Sequence, residues 1–148
     1  MSNNKRVVFV TGASRGIGKA IALELANYFN FIAVGYSLSK KEAERVCSEI
    51  NKFHSEAVPI KLNLNSTKSI NNALSEINKK LGYIDILVNN AAIHIENNYL
   101  EISEKEWDNV LSVNLKAPFI ITQSVLPQMI ANEYGKIINI SSIASETG

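Results

Sequence analysis

The sequence predicts an α/β protein: a doubly wound parallel sheet in strand order 3-2-1-4-5, truncated after its fifth strand. Three observations point there. Short β-branched, apolar runs alternate with longer segments whose apolar positions recur at helical spacing, the pattern of successive βαβ units with helices on both sheet faces. The first run breaks into a glycine-rich turn, Thr11-Gly12-Ala13-Ser14-Arg15-Gly16-Ile17-Gly18, immediately before a helical pattern. The third run carries Pro59, which cannot donate a ladder hydrogen bond and so belongs on an edge strand, where this order puts it.

The elements follow in chain order. Strand one covers about 6–11, and its helix about 16–28, with Ile17, Ile21, Leu25 and Tyr28 expected to face the sheet. Strand two covers about 31–36 and its helix about 40–53; strand three covers about 57–64. Asn65-Ser66-Thr67 supplies N-cap chemistry for a helix reaching about Leu81, and Gly82 ends it. Strand four covers 84–89, followed by an irregular stretch through Tyr99. Ser103 with Glu106 three residues on reads as a capping box. The helix it opens is expected to run to about Asn132, with Val110, Val113, Leu115, Ile120 and Ile121 as its apolar positions. Strand five covers about 136–141. No internal repeat, linker or low-complexity tract interrupts this, so residues 1–148 read as one domain.

Fifteen Lys and Arg against fourteen Asp and Glu leave a net charge of +1, so no charge field recommends nucleic acid or an acidic membrane as partner. The single cysteine, Cys47, has no partner for an internal disulfide and no company for a metal site; it reads as a half-buried helix residue in a reducing compartment. The first residues lead into strand one without an apolar signal segment, and no run is long enough to span a bilayer. A cytoplasmic protein is the expectation.

The turn between strand one and its helix suits a diphosphate. Backbone N–H groups at a helix start are unpaired, and the positive end of the helix dipole favours an anion. Glycine lets the phosphates approach the backbone and permits positive φ. The spacing is Thr11-Gly12-x-x-x-Gly16-x-Gly18 rather than the general Gly-x-Gly-x-x-Gly. With this spacing the chain resembles the classical short-chain dehydrogenases/reductases, the 3-oxoacyl-(acyl-carrier-protein) reductases being the nearest group. The extended branch of that superfamily spaces its glycines Gly-x-x-Gly-x-x-Gly, which this chain does not. The resemblance implies a Rossmann-type dinucleotide domain, with Gly12, Ser14, Arg15, Gly16, Ile17 and Gly18 against the cofactor.

Cofactor choice rests on the end of strand two. An acidic residue there bonds the adenosine ribose and selects NAD. Here that end reads Gly35-Tyr36-Ser37-Leu38-Ser39-Lys40, without a carboxylate. Ser37, together with Arg15 at a position that accompanies NADP in the family, leans toward NADP over NAD. The resemblance also places Asn63 and Leu64, after strand three, near the adenine. It places Asn90, Ala91 and Ala92 at the cofactor through a motif that is Asn-Asn-Ala-Gly in the family and Asn89-Asn90-Ala91-Ala92 here. The departure at Ala92 puts the local turn in question.

Two residues match catalytic positions of the family. Asn114 lies in Ser112-Val113-Asn114-Leu115, and Pro118 four residues on has no N–H for the Asn114 carbonyl; the family uses that carbonyl to hold a water in a proton relay. Ser142, with Ser141 as the neighbouring alternative, matches the serine that hydrogen-bonds the substrate oxygen. The family's general acid/base is a Tyr with a Lys four residues later, about a dozen residues past that serine. Only Ile143-Ala144-Ser145-Glu146-Thr147-Gly148 follow here, with neither. Tyr36-x-x-x-Lys40 has the spacing but lies at the adenosine end, and His54 and His94 have no catalytic or metal-ligating company. No metal site is expected.

Two readings follow. The first is an NADPH-dependent oxidoreductase reducing a carbonyl, a 3-oxoacyl thioester of fatty acid synthesis above all, in a form that carries the remaining catalytic pair and assembles as a homo-oligomer, a tetramer by resemblance. The 148-residue chain alone would then be inactive, its fifth strand an edge and an apolar face bare. The second is a catalytically incomplete module that binds a dinucleotide or another subunit without turnover.

Overall fold

The computed structural model describes residues 5–53 and 55–143; His54 and the last five residues of the tail considered above lie outside them. Five parallel strands, β1 (Val7–Val10), β2 (Phe31–Tyr36), β3 (Glu56–Lys61), β4 (Ile84–Asn89) and β5 (Lys136–Asn139), lie in the order β3-β2-β1-β4-β5. Pro59 sits opposite Val34 on β3, at one rim, and β5 forms the other. Among the described residues four α-helices cover the sheet, α1 (Gly16–Leu25), α2 (Lys40–Ile50), α3 (Thr67–Lys80) and α5 (Ala117–Ala131), while α4 (Glu104–Leu111) buries none of its residues.

The alternation of side chains along each strand divides the core in two. Val8, Val10, Ile32, Val34, Ile86 and Val88 pack with Ala22, Val46, Cys47 and Ile50 of α1 and α2. Phe9, Ala33, Ile60 and Leu87 face Ile70, Ala73 and Ile77 of α3 and Ala117, Ile121, Val125 and Met129 of α5. Each fully buried side chain of this size contributes about 1.5–3 kcal/mol through water released from its surface. On the α1–α2 face nothing among the described residues buries Ile138 or Ile140, which stay exposed beside β4.

Helix α1 departs from the expected pattern. Ile17 and Tyr28 are 65% and 62% exposed; Gly18 and Ala22 face the sheet, flanked by half-buried Ile21 and Leu25. The cause is distance. The helix starts so close to the glycine turn that a Cβ on Gly18 would strike the Asn90 amide and the Gly12 carbonyl, so only the smallest residues fit the contact line. The long helix expected from Ser103 to Asn132 is instead two helices joined by a π-helical turn, Ser112–Lys116. Pro118 explains the break, because it withholds the N–H that the carbonyl of residue 114 would take in an α-helix. The joint turns Leu115 outward while Val113 and Ala117 stay buried. Cys47 is buried rather than half-buried, and burial pushes its thiol up to about 12, which leaves no thiolate for chemistry at neutral pH.

At the opposite end of the sheet from the glycine turn, Arg6, Asp85 and Tyr134 clasp three elements. The pairing of β1 with β4 slips between Val7 and Val8, which leaves Asp85 without a ladder partner. Its carboxylate then accepts from the Val7 N–H at 2.9 Å and from Arg6 Nη1 at 2.8 Å, and the guanidinium lies 3.5 Å from the centre of the Tyr134 ring. Replacing Asp85 by Ala strands a buried N–H and a cation together. A loss of about 3 kcal/mol is expected in urea unfolding; a loss below about 1 kcal/mol, the range of an exposed ion pair, would show the clasp to be decorative.

Candidate functional site

The carboxyl ends of β1, β2 and β4 open into a cleft of about 650 Å³, a size suited to a small organic ligand. Every residue expected at a cofactor lines it: Gly12, Ser14, Arg15, Gly16, Ile17, Gly18, Ser37, Asn63, Leu64, Asn90, Ala91 and Ala92. The cleft lies at the switch point of the sheet, where β1 neighbours β2 on one side and β4 on the other.

The floor is the turn between β1 and α1, held from both sides. Ala13 N–H donates to the Gly35 carbonyl of β2 at 2.8 Å. On the other side Thr11 Oγ1 accepts from the N–H groups of Asn90 and Ala91, both at 3.0 Å, and Asn90 Nδ2 donates to the carbonyls of Thr11 and Gly12 at 2.9 and 3.3 Å. Gly12 and Gly16 take φ of +65° and +55°, the left-handed region that favours glycine. At Gly12 a Cβ would press on Ala91 at 3.0 Å, whereas at Gly16 it would meet nothing within 4 Å. Gly16 therefore faces open space above the turn.

Helix α1 begins there without a cap. Arg15 at the N-cap position makes no side-chain capping bond, no acidic residue stands in the first turn, and the first helical bond runs from Lys19 N–H to the Arg15 carbonyl. The preceding N–H groups of the turn have no intrahelical acceptor, which leaves them available to an anion. Arg15 is exposed and has no ion-pair partner among the described residues.

The walls come from three loops. The end of β2 contributes Ser37, and no carboxylate lines this part of the cleft. Tyr36 is buried, and Lys40 pairs with Glu44 at 3.5 Å on α2, so their spacing belongs to this helix start. After β3, Asn63 Oδ1 accepts from Asn65 N–H at 3.0 Å, a turn that presents Leu64 and Asn65 to the cleft. After β4, Ala92 lies on the rim with an ordinary backbone: among the described non-glycine residues only Glu133 has positive φ. The departure from glycine at Ala92 therefore needs no left-handed backbone there.

Asn114 does not line the cleft but holds what does. Its Oδ1 accepts from Ile93 N–H at 2.9 Å and its Nδ2 donates to the Ile93 carbonyl at 2.8 Å, docking the loop after β4 onto the π-helical turn. The capping box of α4 is complete: Ser103 Oγ and N–H both bond the Glu106 carboxylate, and Glu106 N–H donates back to Ser103 Oγ. The Ser103 hydroxyl and N–H hold the Glu106 carboxyl below its ordinary value, so the box contributes above the unfolded carboxylate range and is lost as pH falls through the lowered value. Ser142 follows β5, whose continuation is set by Ile140 N–H donating to the Asn89 carbonyl at 2.9 Å and by Asn89 Nδ2 donating to Asn139 Oδ1 at 2.9 Å. His94 is exposed in the loop after β4.

The model of the short chain dehydrogenase family matches residues 6–148. The chain belongs to that family. It is 42% identical over 139 residues to the 3-oxoacyl-[acyl-carrier-protein] reductase FabG of Staphylococcus epidermidis, covering 94% of this chain and 57% of the relative. It is 42% identical over 144 residues to the Aquifex aeolicus protein of the same name, covering 97% and 58%. Among solved structures, a metagenomic short-chain oxidoreductase in complex with NADP superposes with a TM-score of 0.87 at 35% identity, over 94% of this chain and 62% of that one. The chain thus spans somewhat more than half the length of the curated relatives it matches.

Sequence reasoning missed Asn65, Asn109, Ile93 and Val113 as cleft residues of this member of the family. Val113 could have been found from its place beside Asn114. Asn65 and Asn109 meet only through the fold. The floor itself is testable: Gly18→Ala pushes a methyl into the Asn90 amide and is expected to cost about 2 kcal/mol in urea unfolding. Stability equal to the parent would show that α1 stands further from the turn than described.

Proposed function

We propose that the cleft binds NADP(H) and that this chain forms the cofactor half of a reductase that turns a carbonyl into an alcohol, a 3-oxoacyl thioester being the favoured substrate. The observation that carries the reading is the uncapped start of α1 under a glycine turn with an open face at Gly16. The residues fit the cofactor: backbone N–H groups for the diphosphate, and Ser37 and Arg15 for the 2′-phosphate, where an acidic residue would repel it. The names of the relatives support the thioester, and the NADP-bound structural neighbour supports the phosphate.

When bound, the cofactor supplies the hydride. The chain's own residues bind and orient. The turn and Arg15 hold the phosphates, Asn114 holds the loop carrying Ile93 against the π-helical turn, and the Ser142 hydroxyl donates a hydrogen bond to the substrate oxygen as charge develops there. The proton belongs to the family's tyrosine–lysine pair, which the sequence after Ser142 does not contain. Residues 1–148 are accordingly proposed to bind without turnover, in the cytoplasm, consistent with a lone buried thiol. Among the described residues no helix is long and apolar enough to cross a membrane.

Fluorescence titration with NADPH and NADH tests this. The parent should prefer NADPH, and Arg15→Ala should weaken NADPH about tenfold while leaving NADH unchanged. Gly16→Val should abolish binding of both while costing only about 1–2 kcal/mol of stability from its positive φ. Unaltered affinity in the Gly16 variant would sink the proposal.

Trp107, Leu111, Leu115 and Phe119 stand exposed at four-residue intervals along α4, the π-helical turn and α5, an apolar stripe that suits a second copy of the chain in a homo-oligomer. Light scattering on Leu115→Glu/Phe119→Glu should report a smaller species than the parent; an identical mass for both would remove the stripe from the assembly.

A further inference from the structure

We propose that residues 93–97 form a taut splint along α4, and that Asn97 and Glu106 are positioning residues for the ligand of the cleft. The positioning role rests on the nucleotide reading of the cleft; the splint itself does not. Helix α4 needs such support, because it buries none of its residues. Yet Asn109 of α4, and Val113 just beyond it, line the cleft together with Ile93.

The segment is tied to this helical stretch at both ends. The N–H and carbonyl of Ile93 bond the Asn114 amide. Further on, Asn97 Nδ2 donates to Glu106 Oε1 at 2.7 Å. The ties run antiparallel: the chain advances from 93 to 97 while its anchors step back from 114 to 106. The two lengths agree. From 93 to 97 an extended chain spans about 13 Å, and from 106 to 114 a helix rises about 12 Å. Burial alternates as an extended segment requires, with Ile93 and Ile95 half-buried and His94 and Glu96 exposed. A segment that reaches its second anchor only when extended has no slack, so it fixes α4 against the loop after β4. Glu106 divides its oxygens between two tasks. Oε2 accepts both Ser103 bonds of the capping box, and Oε1 accepts Asn97. The Asn97 tie is therefore charge-assisted and separable from the cap.

The test compares the parent with Asn97→Ala, with one glycine inserted between Ile95 and Glu96, and with Glu96→Ala as control. The insertion keeps both ties and adds about 3.3 Å of slack, which a purely local role for the two hydrogen bonds would not register. Amide hydrogen exchange without nucleotide reads α4, with Leu115→Glu/Phe119→Glu carried throughout so that no second copy steadies the helix. Asn97→Ala and the insertion should each speed exchange over residues 104–111 about fivefold. Each should weaken NADPH about threefold in fluorescence titration. Glu96→Ala should match the parent in both measurements. Both ties are exposed, so urea midpoints should agree throughout. Parental exchange in Asn97→Ala or in the insertion overturns the splint. Faster exchange with parental NADPH affinity overturns the positioning role. A parent that binds no NADPH overturns the nucleotide reading and the positioning role together, and the exchange rates still decide the splint.

Discussion

The cleft depends on one crossing of backbone, where the Thr11 hydroxyl and the Asn90 amide tie the turn after β1 to the turn after β4. Two strands that separate at their carboxyl ends leave their terminal N–H and C=O groups unpaired, and an open cleft keeps water from being excluded there. Thr11 resolves this on the β4 side by accepting two N–H groups with one oxygen. Asn90 resolves it on the β1 side by donating to two carbonyls. The turn is thereby held rigid without any bond to the N–H groups that begin α1. A floor fixed from beneath and from the sides, and bare on top, is what preorganised anion binding requires.

The same logic accounts for the asparagines around the cleft. Asn63 closes its own turn, Asn90 clamps the floor, and Asn114 docks the β4 loop through Ile93. Each is at a position the family resemblance associates with cofactor or catalysis, and each has side-chain groups engaged with backbone. Their importance lies in where they hold the chain. The groups that face the open cleft without such a role are fewer, among them the helix-start amides, Arg15 and Ser37.

Much of this was legible in the sequence for a plain reason. Strand order, the edge place of Pro59, the capping box at Ser103 and the cleft residues Gly12 and 14–18 depend on local pattern and on rules of parallel sheets. What escaped depends on distance across the fold. Hydrophobicity assigned Ile17 and Tyr28 to the sheet, but the close approach of α1 reserves that line for Gly18 and Ala22. Pro118 announced a fault in the long helix, yet its form, a π-helical turn, follows from docking Val113 and Ala117 against the core on either side of Asn114. Nothing local pairs Asn65 with Asn109, because their bond exists only once α4 reaches the turn after β3.

That contact links the capping box to the cleft. Ser103 and Glu106 set where α4 begins, about one and a half turns before Asn109 and two and a half before Val113. The π-helical turn then re-aims the chain so that α5 lies on β4 while α4 projects over the cleft's β3 side. A straight helix through residues 104–131 would have to abandon either the buried Ala117–Met129 face or the contact with Asn65. The inserted turn lets one continuous stretch of chain serve the core with one half and the cleft with the other, and Asn114, bonded to Ile93, ties the joint to the loop after β4.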